Sequence, residues 1–159
     1  MPSPISFRVA QIEDSLAIFD AHQDAVLTLC QSAYTPAQMK IWFEGRTHEI
    51  HHRAIQAGQI LLAERHGRVL GFAGFTPGEV TLLFVRPDTA GTGLGRQLLH
   101  LAMDRARLHH AGPLTVVATR NSQGFYEKHG FVAVEASFFV RGTPDTRFEV
   151  VNMRERGRS

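Results

Sequence analysis

Residues 79–99 read EVTLLFVRPDTAGTGLGRQLL, and the fold turns on how this stretch is parsed. An apolar run from Val80 to Val85 is stopped by Pro87, glycines follow at 91, 93 and 95, and a helical apolar pattern opens at Leu94, Leu98 and Leu99. The order is therefore strand, glycine turn, helix. Glycines at alternate positions leave their N–H groups unshielded and allow φ > 0, so the turn can wrap an anion. The helix that begins inside the turn adds unpaired first-turn N–H groups and the positive end of its dipole. A phosphate or pyrophosphate suits that arrangement. A bare connection between strand and helix, with no ligand, is the other reading of the same residues. A P-loop is excluded because Gly95 is followed by Arg96 and Gln97 rather than Lys and Ser or Thr, and the dinucleotide fingerprint fails on glycine spacing.

Before this stretch, Ile5–Ala10 alternates as a first strand. Leu16, Ile18, Phe19, Ala25, Val26, Leu27 and Leu29 recur at helical spacing between Ser15 and Cys30, with a break expected near His22. Thr35 followed by Pro36 predicts an N-cap and first residue for a second helix ending at Gly45, and a third runs from Thr47 to Ala57 and closes at Gly58. The period then changes. Gln59–Glu64 and Arg68–Phe75 read as a hairpin turning at Arg65, His66 and Gly67, and Pro77 and Gly78 lead into the strand Glu79–Val85, giving an antiparallel meander. After the long helix Gly93–His110 come a strand Leu114–Ala118, a short helix Ser122–His129, and strands Phe131–Val140 and Arg147–Arg154.

The chain has 159 residues, the length of one domain spanning 1–159, with 43% hydrophobic and 20% charged residues, as in an ordinary globular protein. A net charge of +2 with scattered basic residues points to no nucleic-acid partner, and the tail Arg154, Arg156, Arg158 reads as a solvated end. One cysteine, Cys30, permits no internal disulfide. With no signal-peptide pattern and no apolar run of membrane length, the expected location is the cytoplasm, away from membranes. Oligomeric state is left open, a homodimer included.

Val85, Arg86, Pro87 and then Ala90, x, x, Gly93, x, Gly95 resemble the acyl-CoA loop of the GNAT superfamily of N-acetyltransferases, with Ala90 where the family usually has Arg or Gln. A second segment, Asn121 to Phe131 (NSQGFYEKHGF), resembles the family's Phe-Tyr-Glu-Lys-x-Gly-Phe motif. The likeness is good over Gln59–Val134 and loose at the ends. It implies an α+β fold, a central, mostly antiparallel, twisted sheet of about six or seven strands flanked by helices. It also implies acetyl-CoA as co-substrate, no metal, and direct transfer to a primary amine in a ternary complex.

That chemistry sets three demands. An amine of pKa about 10 is protonated at neutral pH, so a base is needed. Glu79, at the start of the loop-bearing strand, is the candidate, on a face shared with Thr81 and Leu83 if the strand alternates; a merely polar strand start is the alternative. The carbonyl oxygen needs an N–H donor, and the resemblance puts it near a bulge in this strand, with Leu83, Phe84 and Val85 pairing with the pantetheine arm. The departing thiolate needs a proton, and Tyr126 matches the family's acid; packing on Phe125 with a tethered hydroxyl is the alternative. Gly91, Thr92, Gly93, Leu94, Gly95, Arg96 and Phe125 complete the expected cofactor site, with Asn121 either bonding pantetheine or capping the short helix. Thr119 aligns better with the family's usual Asn.

Two rival classes remain. His48, Glu49, Ile50, His51, His52 contains the zinc-protease string His, Glu, x, x, His, for which Glu64 or His66 would be the third ligand; a polar helix face beside an acceptor pocket is the other reading. A non-catalytic acyl-CoA-binding module is the second rival. Cys30, in an apolar helix, reads as core rather than nucleophile. Tyr34, Trp42, Phe138, Phe139 and Arg141 stand where an acceptor would enter, and each singly reads as core.

Overall fold

The protein, described over residues 4–142 and 144–157 by a computed structural model, is built on one seven-stranded sheet of order β1-β2-β3-β4-β5-β7-β6. The strands are β1 (Ser6–Val9), β2 (Ile60–Arg65), β3 (Arg68–Thr76), β4 (Glu79–Val85), β5 (Thr115–Thr119), β6 (Phe131–Arg141) and β7 (Thr146–Glu155). All neighbours are antiparallel except β4 and β5. That parallel pair requires a crossover, which is the helix following the glycine turn.

The helices are α1 (Ser15–Leu29), α2 (Pro36–Ile41), α3 (His52–Gln56), α4 (Leu94–Arg107) and α5 (Gln123–Lys128). The α4 sequence buries Leu94, Leu98, Leu99, Ala102, Met103 and Ala106, a single face at i, i+4 and i+8 spacing, against Ala73, Val80, Val116 and Ala118 of the sheet. Each fully buried leucine contributes about 1.5–3 kcal/mol by leaving water. On the other face α1 and α3 cover Leu62, Phe72 and Phe84. A third cluster, Val26, Cys30, Tyr34, Trp42 and Phe148, joins α1 and α2 to β7.

Several local expectations hold for the reasons given. Thr35 Oγ1 accepts from the Gln38 N–H at 3.1 Å and the Gln38 side chain returns the bond to the Thr35 N–H at 2.8 Å, so α2 starts in a capping box. The β2–β3 turn has φ of 53° at His66 and 73° at Gly67, the both-positive pattern of a type I′ hairpin. Two others change. α1 runs unbroken through His22, which is buried rather than a break point. The single helix expected over 47–57 divides into a 3-10 turn, His48–His51, and α3. The tighter turn buries His51 beside Phe72. Among the described residues no helix is long and apolar enough to cross a membrane. Arg158 of the basic tail lies outside the described residues.

Candidate active-site cleft

β4 and β5 pair only at Glu79↔Thr115 and Val80↔Val116. Beyond those pairs the strands diverge. A cleft of about 890 Å³ opens between them, lined on β4 by residues 81–85 and on β5 by Val116, Val117 and Thr119. The divergence begins at a bulge. Gly74 pairs with Leu82 and Phe75 with Val80, leaving Thr81 as an extra residue on β4. Gly74 permits it, because a Cβ there would collide with Thr81 Oγ1. From the bulge onward, the β4 edge that faces β5 has no strand partner.

The bulge also corrects the predicted alternation. Partners across a ladder share a face, and Thr76↔Glu79, Gly74↔Leu82 and Phe72↔Phe84 put Glu79 with Leu82 and Phe84, while Leu83 opposes Ala73 on the α4 side. Glu79 keeps Thr81 as a companion but not Leu83. Glu79 is half-buried, and desolvation holds its carboxyl above the usual carboxylate range. It is not among the residues that line the cleft. It stands two residues before Thr81, where the lining of β4 begins, beside Thr115 and on the face that Val117 carries into the cleft.

The glycine turn follows β4 through a 3-10 turn at Pro87–Thr89. Gly91 and Gly93 take φ of 80° and 91°, and Gly93 is the N-cap of α4 with no side chain capping it. The first-turn N–H groups therefore lie bare at the mouth of the cleft, which Ala90, Gly91, Gly93, Gly95 and Arg96 line. Thr92 and Leu94 do not line it. The Thr92 hydroxyl donates to the Thr89 carbonyl, and the Leu94 side chain turns into the core, so only main-chain atoms of these two serve the turn. Arg86 is a strut: 8% exposed, it donates Nε to the Val69 carbonyl at 2.6 Å and pairs with Asp20 and Asp24 of α1 at 3.0 and 3.4 Å.

From the opposite wall α5 contributes Phe125 and Tyr126. Tyr126 is 5% exposed and packs on Phe125, and its hydroxyl has no hydrogen-bond partner among the described residues. Burial pushes its pKa upward, keeping the phenol protonated. Asn121 lines the cleft and does not cap α5, whose N-cap is Ser122. Cys30 also reaches the cleft, but burial lifts its thiol to about 11, so it is no thiolate at neutral pH.

The cleft continues between α1 and the β6–β7 hairpin, the side on which Trp42, Phe139 and Arg141 are expected beside an acceptor; His22 and Arg46 there are not anticipated by the sequence. His22 Nδ1 and His51 Nε2 are 3.1 Å apart, and His22 lies 4.4 Å from the Phe84 ring. Desolvation lowers His22 to about 3 and His51 to about 4, so both are neutral at physiological pH. Trp42, Arg46, Phe139 and Arg141 complete this end. Tyr34 is instead a core strut, donating to the Glu149 carbonyl at 2.6 Å, and Phe138 is exposed beneath Arg147. In the His, Glu, x, x, His string, His48 in the 3-10 turn and His52 in α3 keep their rings in edge-to-face contact at 5.3 Å, but His52 Nε2 meets Ser15 Oγ at 3.2 Å. Among the described residues no three His, Cys, Asp or Glu side chains gather around a metal-sized space.

Comparison with known proteins agrees with this geometry. A family profile described as an acetyltransferase (GNAT) domain matches residues 30–152. The L-amino acid N-acyltransferase MnaT of Escherichia coli K12 is 31% identical over 138 residues, spanning 79% of this chain and 75% of that protein. The fold is shared with a GCN5-related N-acetyltransferase from Rhodopseudomonas palustris (TM-score 0.82, 23% identity, 98% of this chain and 97% of that one). It is shared also with the PaiA N-acetyltransferase of Thermoplasma acidophilum, solved with coenzyme A (TM-score 0.75, 20% identity, 97% and 100%). A third example is YncA of Salmonella typhimurium, solved with acetyl-CoA (TM-score 0.62, 22% identity, 96% and 93%).

Proposed function

The chain belongs to the GNAT acetyltransferases, and from that premise we propose that it transfers the acetyl group of acetyl-CoA to a primary amine, with both substrates bound in the cleft. The observation that carries this reading is the divergence of β4 from β5 immediately upstream of a glycine turn with bare N–H groups. A pantetheine arm fits the unpaired edge of β4 as an added strand, along Leu83, Phe84 and Val85. The pyrophosphate fits the turn, where main-chain atoms of residues 91–96 supply donors and Ala90 supplies none from its side chain. Asn121 and Phe125 face the same space.

Bound acetyl-CoA supplies an acyl carbon already activated as a thioester. The chain's residues then have three tasks. Glu79, raised by desolvation and on the face that Val117 carries into the cleft, takes the amine proton through a water. A main-chain N–H at the Thr81 bulge donates to the carbonyl oxygen as charge develops there. As the C–N bond forms and the C–S bond breaks, Tyr126 gives its proton to the sulfur. No covalent enzyme nucleophile is required, which agrees with the protonated Cys30.

The direct test is thiol release from acetyl-CoA against a panel of primary amines, with amino acids screened first in view of the relative's name. Glu79→Gln should lower kcat/KM about tenfold to a hundredfold, at the low end for a general base because a water intervenes. A base works deprotonated, so the wild-type rate should rise with pH through the elevated pKa of Glu79, and that acid limb should vanish in the variant. An unchanged pH profile would remove Glu79 from the mechanism. Absence of turnover with every amine, despite tight acetyl-CoA binding, would favour the binding-module alternative.

A further inference from the structure

Arg46, just beyond α2, and Arg141, the last residue of β6, converge on the inner end of the cleft beside the neutral pair His22 and His51. Neither arginine forms an ion pair among the described residues. Arg141 donates Nη1 to the Val140 carbonyl at 2.9 Å, and its guanidinium lies 4.6 Å over the Phe139 ring. Its Nε is buried without a hydrogen-bond partner among the described residues. Arg46 feels the charge of Arg141, and desolvation lowers both below the ordinary arginine value. They nevertheless stay protonated.

Holding two half-buried like charges without a counter-ion is costly, and no carboxylate among the described residues offsets it. Asp20 and Asp24, on the facing side of α1, are engaged by Arg86. Glu44 pairs with neither arginine among the described residues, and Glu49 is exposed. The two histidines add donors and acceptors but no charge. An arginine fork presents paired N–H groups in the geometry of a carboxylate, and it does so more strongly where water is scarce. The aromatic walls, Trp42 and Phe139, leave room beside it for an apolar group.

We infer that the acceptor is a free amino acid, its carboxylate held by Arg46 and Arg141 and its amine directed past His22 toward the bulge of β4. This rests on the acetyltransferase reading. The cleft of about 890 Å³, which must also accommodate the thioester end of the co-substrate, is of the size that holds a small molecule. Two guanidinium groups carry a charge of +2, which a carboxylate neutralises by half and a phosphate dianion in full, so the planar fork geometry and not the charge count points to a carboxylate, and a phosphorylated amine is included in the experiment to separate the two.

The experiment uses the full chain saturated with free CoA, titrated calorimetrically with the common L-amino acids, with their decarboxylated amines, and with O-phosphoethanolamine. Acetyl-CoA turnover is followed in parallel. Amino acids should bind, and the best of them should bind its decarboxylated counterpart's site about tenfold or more tightly than that amine does. Arg46→Met and Arg141→Met should each raise KM for the amino acid about tenfold or more, with CoA affinity and melting temperature unchanged, and Arg141→Lys should recover part of the loss. Equal or better binding of the plain amines overturns the inference, as does a preference for phosphoethanolamine, an unchanged KM in both methionine variants, or CoA-loaded protein that binds no amino acid. If CoA itself does not bind, the acetyltransferase reading fails first and this one with it.

Discussion

Gly93→Asp should abolish acetyl-CoA binding in a calorimetric titration, with a loss in affinity of about a hundredfold or more. Two effects add. Gly93 has φ of 91°, a region that costs an L-residue about 1–2 kcal/mol. The second effect is charge, since a carboxylate would sit at the N-terminus of α4, where the pyrophosphate is to lie, and would compete for the same N–H groups. Gly93→Ala separates them. Nothing lies within 4 Å of a Cβ at this position, so alanine brings backbone strain without a clash and should cost about tenfold at most. Free CoA should follow acetyl-CoA through the series, because the lost contacts are to the pyrophosphate and not to the acetyl group. If the aspartate variant binds like wild type, the turn is a connection only and the phosphates lie elsewhere.

Tyr126→Phe should lower kcat by about 10²–10³ while leaving acetyl-CoA affinity intact, the mark of a group needed only as the thiolate departs. The phenol is buried, and its hydroxyl makes no hydrogen bond among the described residues, so removing the oxygen leaves no orphaned partner and little change in stability. The sign of the pH effect follows from its raised pKa. An acid works while protonated, so the wild-type rate should hold on the alkaline side beyond the ordinary tyrosine value of about 10. An earlier alkaline fall would implicate another acid. Retained kcat in the phenylalanine variant would leave Tyr126 as packing for Phe131 and Phe125.

The residues that announced the fold did so through local physics. Pro87 ended β4, the glycines opened α4, Thr35 and Gln38 capped α2, and the element boundaries fell within a few residues of expectation because each signal acts on its neighbours in sequence. What could not be read was whatever depends on partners far along the chain. The bulge at Thr81 exists because Gly74 on the next strand lacks a side chain, so strict alternation misassigned Leu83 to the face of Glu79. Arg46 and Arg141 are separated by most of the chain and carry no motif, and they meet only through the way β6 returns across the sheet. The pairing of His22 with His51 is likewise tertiary, whereas the conspicuous His, Glu, x, x, His string keeps His48 and His52 side by side and gathers no third ligand among the described residues.

The short parallel seam between β4 and β5 makes ligation and folding one thermodynamic quantity. Two residue pairs join the half-sheet β1–β4 to the half-sheet β5–β7, backed by the core beneath α4 on one face and by the cluster around Val26, Trp42 and Phe148 on the other. A co-substrate that occupies the open edge binds the native chain and not the unfolded one, and at a hundredfold excess over its Kd it adds about 2.7 kcal/mol to stability. The population of molecules opened along the seam, and with it exposure to proteolysis, falls by the same factor of about a hundred. Metabolic supply of the acyl donor would thereby set the lifetime of the enzyme as well as its rate.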